Sequence, residues 1–317
     1  MRDPRVPELE SGRDSIKMAD DVTFIFLNDL HIGTPGDPNC THYPASSRML
    51  EAALRRLHVM QPSPSFLVVA GDLANRGDVS GYVELRRIFH EANLGVPVFF
   101  ALGNHDDRRN FYEVMLERTD DVEAPYYHAQ VVSGIHVIVL DSEMPLQPGG
   151  ALDEAQWEWL AAELDRNPEC PKLLVMHHAP ALSEDDGVIP RFFTLHLADT
   201  ARLQKLLAGR NILGILCGHV HLNRFSQWYG IPVVLGLGTS GSGGDPVVRN
   251  TMLRPVPGAS FGIGVIRPSG LTITVVPETP IERTMPPEQS FDSIRALQAR
   301  MDAQYLARFG TEPPGKF

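Results

Sequence analysis

Cysteine is scarce. The 317 residues hold three, Cys40, Cys170 and Cys217, widely spaced and with no CxxC pair. That argues against a disulfide framework and against a thiolate metal site. Long apolar runs are also missing; none approaches the ~20 residues that a membrane helix needs. The opening stretch, MRDPRVPELESGRDSIKMAD, carries charges of both signs and lacks the apolar core of a secretory signal. It reads as a polar tail (1–21) in front of the fold, and the chain as a cytoplasmic protein. Positive charge is in deficit too. A formal net charge of −11 argues against a long nucleic-acid surface. It does not exclude a small phosphate substrate, because a bound metal reverses the charge locally. No internal repeat is present.

What the sequence does have is short apolar runs: VTFIFL (22–27), FLVVA (66–70), VFFAL (98–102), HVIVL (136–140), KLLVM (172–176) and ILGILC (212–217). They are continuous rather than alternating, so they predict strands buried on both faces. Helical stripes lie between several of them: 46–60 through Leu50, Ala53, Leu54 and Leu57; 80–93 through Tyr82, Leu85, Phe89 and Ala92, with Ser80 as the N-cap; 153–164 through Trp157, Leu160, Ala161 and Leu164, with Asp153 and Gln156 as a capping box; and 199–208. The last third changes character. RFSQW, IPVVL, GIGVI and LTITVV are short strands of a more antiparallel region, with a long loop through 236–260. After Pro287 one amphipathic helix is predicted, with Phe291, Ile294, Leu297, Met301, Tyr305 and Phe309 on its stripe and Gly310 at its end. It packs on its own domain or, as the sharper alternative, forms a homodimer contact.

Five of the strands end in polar residues of one kind. VTFIFL runs into Asn28-Asp29-Leu30-His31, FLVVA into Gly71-Asp72, VFFAL into Gly103-Asn104-His105-Asp106, KLLVM into His177-His178, and ILGILC into Gly218-His219-Val220-His221. A turn needs glycine, asparagine or aspartate; it does not need histidine. Ligands of α/β sheets bind outside the carboxyl ends of the strands, so these ends converge on one rim. Imidazole and carboxylate suit zinc, iron or manganese, whereas magnesium and calcium prefer oxygen alone. The candidate ligands Asp29, His31, Asp72, Asn104, His177 or His178, His219 and His221 are too many for one catalytic ion with three protein ligands. They suit two ions that share a carboxylate, an arrangement known for phosphoester hydrolysis. Gly71, Gly103 and Gly218 precede ligands, where backbone must pass close to the site. Asp29 and His31, like His219 and His221, are two apart, which on an extended backbone turns both side chains to one face.

In this order, DLH (29–31), GD (71–72), GNHD (103–106), HHAP (177–180) and GHVH (218–221) resemble the calcineurin-like metallophosphoesterases. The chain looks most like the bacterial class III cyclic-nucleotide phosphodiesterases, which share the compact spacing and an LDS segment (140–142). The resemblance covers about 22–278, leaving 279–317 as a C-terminal extension that carries the amphipathic helix. It implies an α/β (α+β) fold with two mixed β-sheets in a sandwich flanked by helices, and a dinuclear site at the strand C-terminal ends. It further implies that Asp29, His31 and His221 bind one ion, that Asn104, His177 and His219 bind the other, and that Asp72 bridges both. It implies that His177 rather than His178 is the ligand, because the family's ligand precedes one residue and then proline, and Ala179 stands in that proline's place. Asn104 and His105 would face the substrate phosphate, and His105 would be catalytic, protonating the leaving oxygen. The cofactors implied are two divalent or mixed-valence transition-metal ions (Fe/Mn, Mn/Mn or Zn). The chain departs from the family pattern at Asn28, where serine is usual, at Ala179, where proline is common, and at Asn75-Arg76, where an acidic pair is more usual.

The activity implied is a metal-dependent phosphodiesterase that hydrolyses cyclic nucleotides (3′,5′-cAMP-like) or other small phosphodiesters by means of a metal-bridging hydroxide. The competing readings are a phosphomonoesterase or other phosphoester hydrolase and, more remotely, a non-catalytic scaffold, which would be expected to have lost ligands. Asp141 ends a strand without a ligand partner, and Asp106 fits a brace for its own loop. The 181–198 stretch, with Phe192, Phe193 and His196, would form a substrate wall or lid.

Overall fold

Strands that are apolar at every position need cover on both faces, and the chain supplies it as four layers: helices, sheet, sheet, helices. The computed structural model describes residues 21–34, 45–182, 194–245, 252–278 and 289–313. The polar tail before Asp21, most of the expected 181–198 wall, with Phe192 and Phe193, and the start of the C-terminal extension lie outside the described residues.

The first sheet has the order β13 (Gly270–Glu278), β12 (Ala259–Arg267), β1 (Val22–Leu27), β2 (Phe66–Ala70) and β3 (Val98–Ala101). β1, β2 and β3 run parallel, and β12 and β13 are antiparallel additions. The second sheet has the order β4 (His128–Val132), β5 (Ile135–Val139), β6 (Lys172–Val175), β7 (Ile212–Cys217), β9 (Ile231–Leu235) and β8 (Arg224–Trp228). Here β5, β6, β7 and β9 are parallel and the two edge strands antiparallel. β10 (Ser242–Asp245), β11 (Met252–Pro257) and β14 (Gln289–Ser290) form a small third sheet. β10 and β11 fall where the sequence predicts a long loop; a run such as SGGD carries no strand signal of its own.

Alternate residues of each strand point to opposite sides, and both sides are apolar. Phe24, Phe26, Phe66, Val68 and Phe99 meet Val137, Val139, Leu173, Val175, Leu216 and Val234 between the two sheets. Phe24 stacks on Phe66 there, with ring centroids 5.0 Å apart. The other residues of the first sheet, Ile25, Leu27, Leu67 and Val69, are covered by α1 (Ser46–Leu57), α2 (Val79–Ala92) and α3 (Arg108–Met115). On the far side, Ile138, Leu140, Leu174, Met176 and Ile215 are covered by α4 (Glu154–Asp165) and α5 (Leu197–Leu207).

Two caps differ from expectation. Asp78, not Ser80, caps α2 by accepting from the Gly81 N–H. Asp153 caps α4, but Gln156 does not complete a capping box: its side chain instead bonds the backbone of Asp141. α6 (Phe291–Phe309) forms as predicted and ends at Gly310, whose N–H bonds Leu306 O. Its stripe is only partly covered: Tyr305 is half-buried, whereas Leu297 and Phe309 are exposed. No helix among the described residues is long and apolar enough to cross a membrane.

Candidate metal centre

Because β1, β2 and β3 are parallel neighbours, DLH, GD and GNHD emerge side by side. β6 and β7 do the same for His177-His178 and Gly218-His221 in the facing sheet. The two sets of ends meet at one pole of the sandwich. There Asp29, His31, Asp72 and His221 bring one ligand atom each to within 4.8 Å of one another, as do His177, His178 and His219.

The expected ligands face the site together, but not by strand alternation. Asp29, His31, Asp72, His219 and His221 have φ of +47°, +44°, +52°, +77° and +51°. This is the left-handed region, which costs a non-glycine residue on the order of 1–3 kcal/mol and is tolerated where the surroundings over-determine it. Cross-links between the loops do so: Asp29 N–H bonds Gly71 O at 3.0 Å, His31 N–H bonds Asp72 O at 2.9 Å, and His219 N–H bonds the Asp29 carboxylate at 2.9 Å. Close approach explains two glycines. A Cβ on Gly71 would overlap the His177 ring, and one on Gly103 would overlap Asp72 Oδ1.

The donor set has one unusual property: acceptors face acceptors. His177 Nδ1 lies 2.9 Å from Ala70 O and must donate to it, so Nε2 of the neutral ring presents a lone pair, open to a cation or a proton. That lone pair faces Asn104 Oδ1 at 3.2 Å and Asp72 Oδ1 at 3.3 Å. The other Asp72 oxygen is 3.4 Å from His31 Nε2, which is 3.0 Å from His221 Nε2. His221 Nε2 in turn is 3.5 Å from Asp29 Oδ1. Such an array demands positive charge at its centre. The protonation equilibria express the same demand. Burial opposes a charge on His177, yet the Asp72 and Asp29 carboxylates raise its pKa to about 9. Burial would raise Asp72, but His177 and His105 hold it well below the usual carboxylate range. Burial keeps His31 far below its ordinary value and hence neutral. Imidazole nitrogens and carboxylate oxygens at these separations fit transition-metal ions, with Asp72 reaching both groups.

The neighbours of the site are committed elsewhere. His178 Nε2 donates to Pro148 O at 3.0 Å and its Nδ1 accepts from Ser142 Oγ at 2.9 Å, so both ring nitrogens are engaged and the ring packs beneath His177 and His219. His105 is exposed, lies edge-on to His31 with centroids 4.7 Å apart, and donates from Nδ1 to Asn75 O at 2.8 Å. Asp106 braces its loop, as its position suggested. It accepts from the N–H groups of Leu73, Ala74 and Gly103 and from Tyr82 Oη at 2.8 Å. Asp141 is structural as well, accepting from Arg108 Nε at 2.9 Å and Tyr126 N at 2.7 Å. The sequence reading gave Tyr82 only a place on its helix stripe and Asn28 only a place among the departures from the family pattern. A tyrosine on a buried helix stripe needs a partner for its hydroxyl, and that was the available signal for Tyr82.

Comparison with known proteins agrees with this geometry. The family model described as Calcineurin-like phosphoesterase matches residues 22–223. A cAMP/cGMP dual specificity phosphodiesterase of Mycobacterium tuberculosis is 30% identical over 221 residues, covering 69% of this chain and 68% of that protein. A probable cyclic nucleotide phosphodiesterase of Rhodococcus erythropolis is 30% identical, covering 68% and 70%. A probable glycerophosphodiester phosphodiesterase of Arcobacter nitrofigilis is 28% identical, covering 56% and 65%. Among solved structures, a purple acid phosphatase from yellow lupin seeds shares the fold with a TM-score of 0.58 at 14% identity, covering 86% of this chain and 53% of that one. The family depends on two metal ions, and this chain has aspartate and histidine groups able to bind them. With strand ends, ligand types and family model in agreement, the chain belongs to the calcineurin-like phosphoesterases and is a phosphoester hydrolase.

Proposed function

We propose that the chain is a metal-dependent phosphodiesterase acting on 3′,5′-cyclic nucleotides or other small phosphodiesters. The observation that carries the reading is Asp72, whose two carboxylate oxygens reach His31 on one side and His177 on the other. In this reading Asp29, His31 and His221 hold one ion, Asn104, His177 and His219 the other, and Asp72 both. Fe/Mn, Mn/Mn or Zn pairs suit the donors. When bound, such a pair lowers the pKa of water towards neutrality and polarises a phosphoryl oxygen.

The chain's own residues supply the rest. Because His105 donates from Nδ1 to Asn75 O, its Nε2 is the nitrogen that exchanges protons. It serves as the general acid for the leaving oxygen. Asn104 turns Oδ1 towards His177, which leaves its amide N–H groups for a phosphate oxygen. The names of the relatives at 30% identity support cyclic nucleotides as substrates, and that of the Arcobacter protein supports glycerophosphodiesters. A reducing compartment such as the cytoplasm suits the free thiols of Cys170 and Cys217.

The test is a hydrolysis panel on metal-reconstituted protein: 3′,5′- and 2′,3′-cyclic nucleotides, glycerophosphodiesters and phosphomonoesters. A preference for 3′,5′-cyclic nucleotides is expected. Equal rates on every ester would overturn the cyclic-nucleotide assignment, and monoesters alone would overturn the phosphodiesterase.

A further inference from the structure

We infer that Asn28 is a positioning residue that aims the Asp29 carboxylate at its ion; the inference rests on the metal reading above. Asn28 is buried beside the site and directly follows β1. Its Nδ2 donates to Asp29 Oδ2 and also to Gly236 O at 2.9 Å, beyond the end of β9. An amide nitrogen carries two protons, and both are used. The His219 N–H grips the same carboxylate from the facing sheet, at 2.9 Å from Oδ1 and 3.1 Å from Oδ2. The terminal torsion of an aspartate is otherwise broad. Held from two directions, the carboxylate keeps Oδ1 on the side of His221 Nε2, 3.5 Å away.

The surroundings are cut to this amide. A Cβ on Gly236 would overlap Asn28 Oδ1, and one on Gly218 would overlap Asp29 Oδ2, the oxygen that Asn28 holds. A second Asn28 anchor is its own carbonyl, which accepts from Thr239 N–H at 3.3 Å. Other residue types cannot repeat the clamp. Serine has one proton and a shorter reach, so it serves Asp29 or Gly236 O but not both. Aspartate has none and would set oxygen against oxygen at both contacts.

The experiment is calorimetric titration of Mn2+ into metal-stripped protein, with the melting temperature of the stripped protein recorded alongside. N28A and N28S are expected to weaken one of the two Mn2+ steps by about 10–100-fold, the usual cost of losing a group that orients a metal ligand. N28D is expected to lose that step altogether. G236A keeps the asparagine but displaces its amide, so it should reproduce N28A, while N28S/G236A should lose no more than N28S alone. Loss confined to one Mn2+ step, with the other step and the melting temperature of the stripped protein kept, is what a merely structural role would not produce. H221A is the control and must lose the same step. Wild-type Mn2+ affinity in N28A, N28S or G236A overturns the inference while H221A still upholds the metal centre. Two intact steps in H221A overturn the metal centre and this inference with it.

Discussion

Asn104 and His105 are adjacent in the chain, yet the geometry divides their roles. Asn104 lies against His177, whereas His105 is exposed and tied to the backbone of Asn75. Substitution should separate them. Asp72→Ala and Asn104→Ala should abolish most hydrolysis together with bound metal. His105→Ala should lower kcat by about 10²–10⁴-fold with metal content, measured by elemental analysis, unchanged; loss of a metal there would show that His105 is a ligand after all. Tyr82→Phe removes the hydroxyl donor from buried Asp106. It should cost about 1–3 kcal/mol in a denaturant melt. His128 offers a pH test away from the ligands. It stacks on Phe99, and burial lowers its pKa to about 4 from an ordinary value of 6.5. Its contribution to stability is therefore complete above pH 6.5 and is lost as pH falls towards 4. His128→Phe should keep the stack and remove that loss. Its advantage in melting temperature over the wild type should be small at pH 7.5 and grow steadily on acidification. A constant difference across that range would refute the assignment.

At the scale of elements, the caps give the cleanest stability test. Asp153→Ala removes the side chain that accepts from Gln156 N–H at 2.7 Å. It should cost about 1 kcal/mol, read as a shift in denaturation midpoint without change in metal content. Elements of this kind were legible because their residues answer to a single demand. The central strands read as apolar runs because both faces are buried, and α1, α2, α4 and α5 read as stripes because one face is. β4 was not legible: HAQVV is an edge strand without a fully buried residue. α3 buries only Phe111 and Tyr112 and shows no stripe. The site divides in the same way. Its residue types stand at strand ends and could be read directly. The left-handed backbone of Asp29, His31, Asp72, His219 and His221 could not, because nothing in aspartate or histidine calls for it; the cross-loop hydrogen bonds impose it. Nor could the partner of Asn28, which lies 208 positions away.

At the scale of the whole molecule, the acidic chain concentrates its need for positive charge at one pole. Supplying that charge should stabilise the fold by mass action. Mn2+ or Zn2+ at about 100 times its Kd adds ~2.7 kcal/mol, so the melting temperature should rise with metal concentration and fall on chelation. In the Asp72→Ala variant that response should vanish. An unchanged melting curve in the wild type would contradict a preformed metal centre.

The ligands come from opposite leaves of the sandwich: Asp29, His31, Asp72 and Asn104 hang from one sheet, and His177, His219 and His221 from the other. Two ions held among them are thus a rivet at one end of two plates whose middle is joined by oily side chains. Drawing the rivet should let the plates slip at that end alone. Amide exchange after chelation should then quicken around Leu27, Ala70 and Cys217, and stay slow at Val22, Phe66 and Ile212, where the same strands begin.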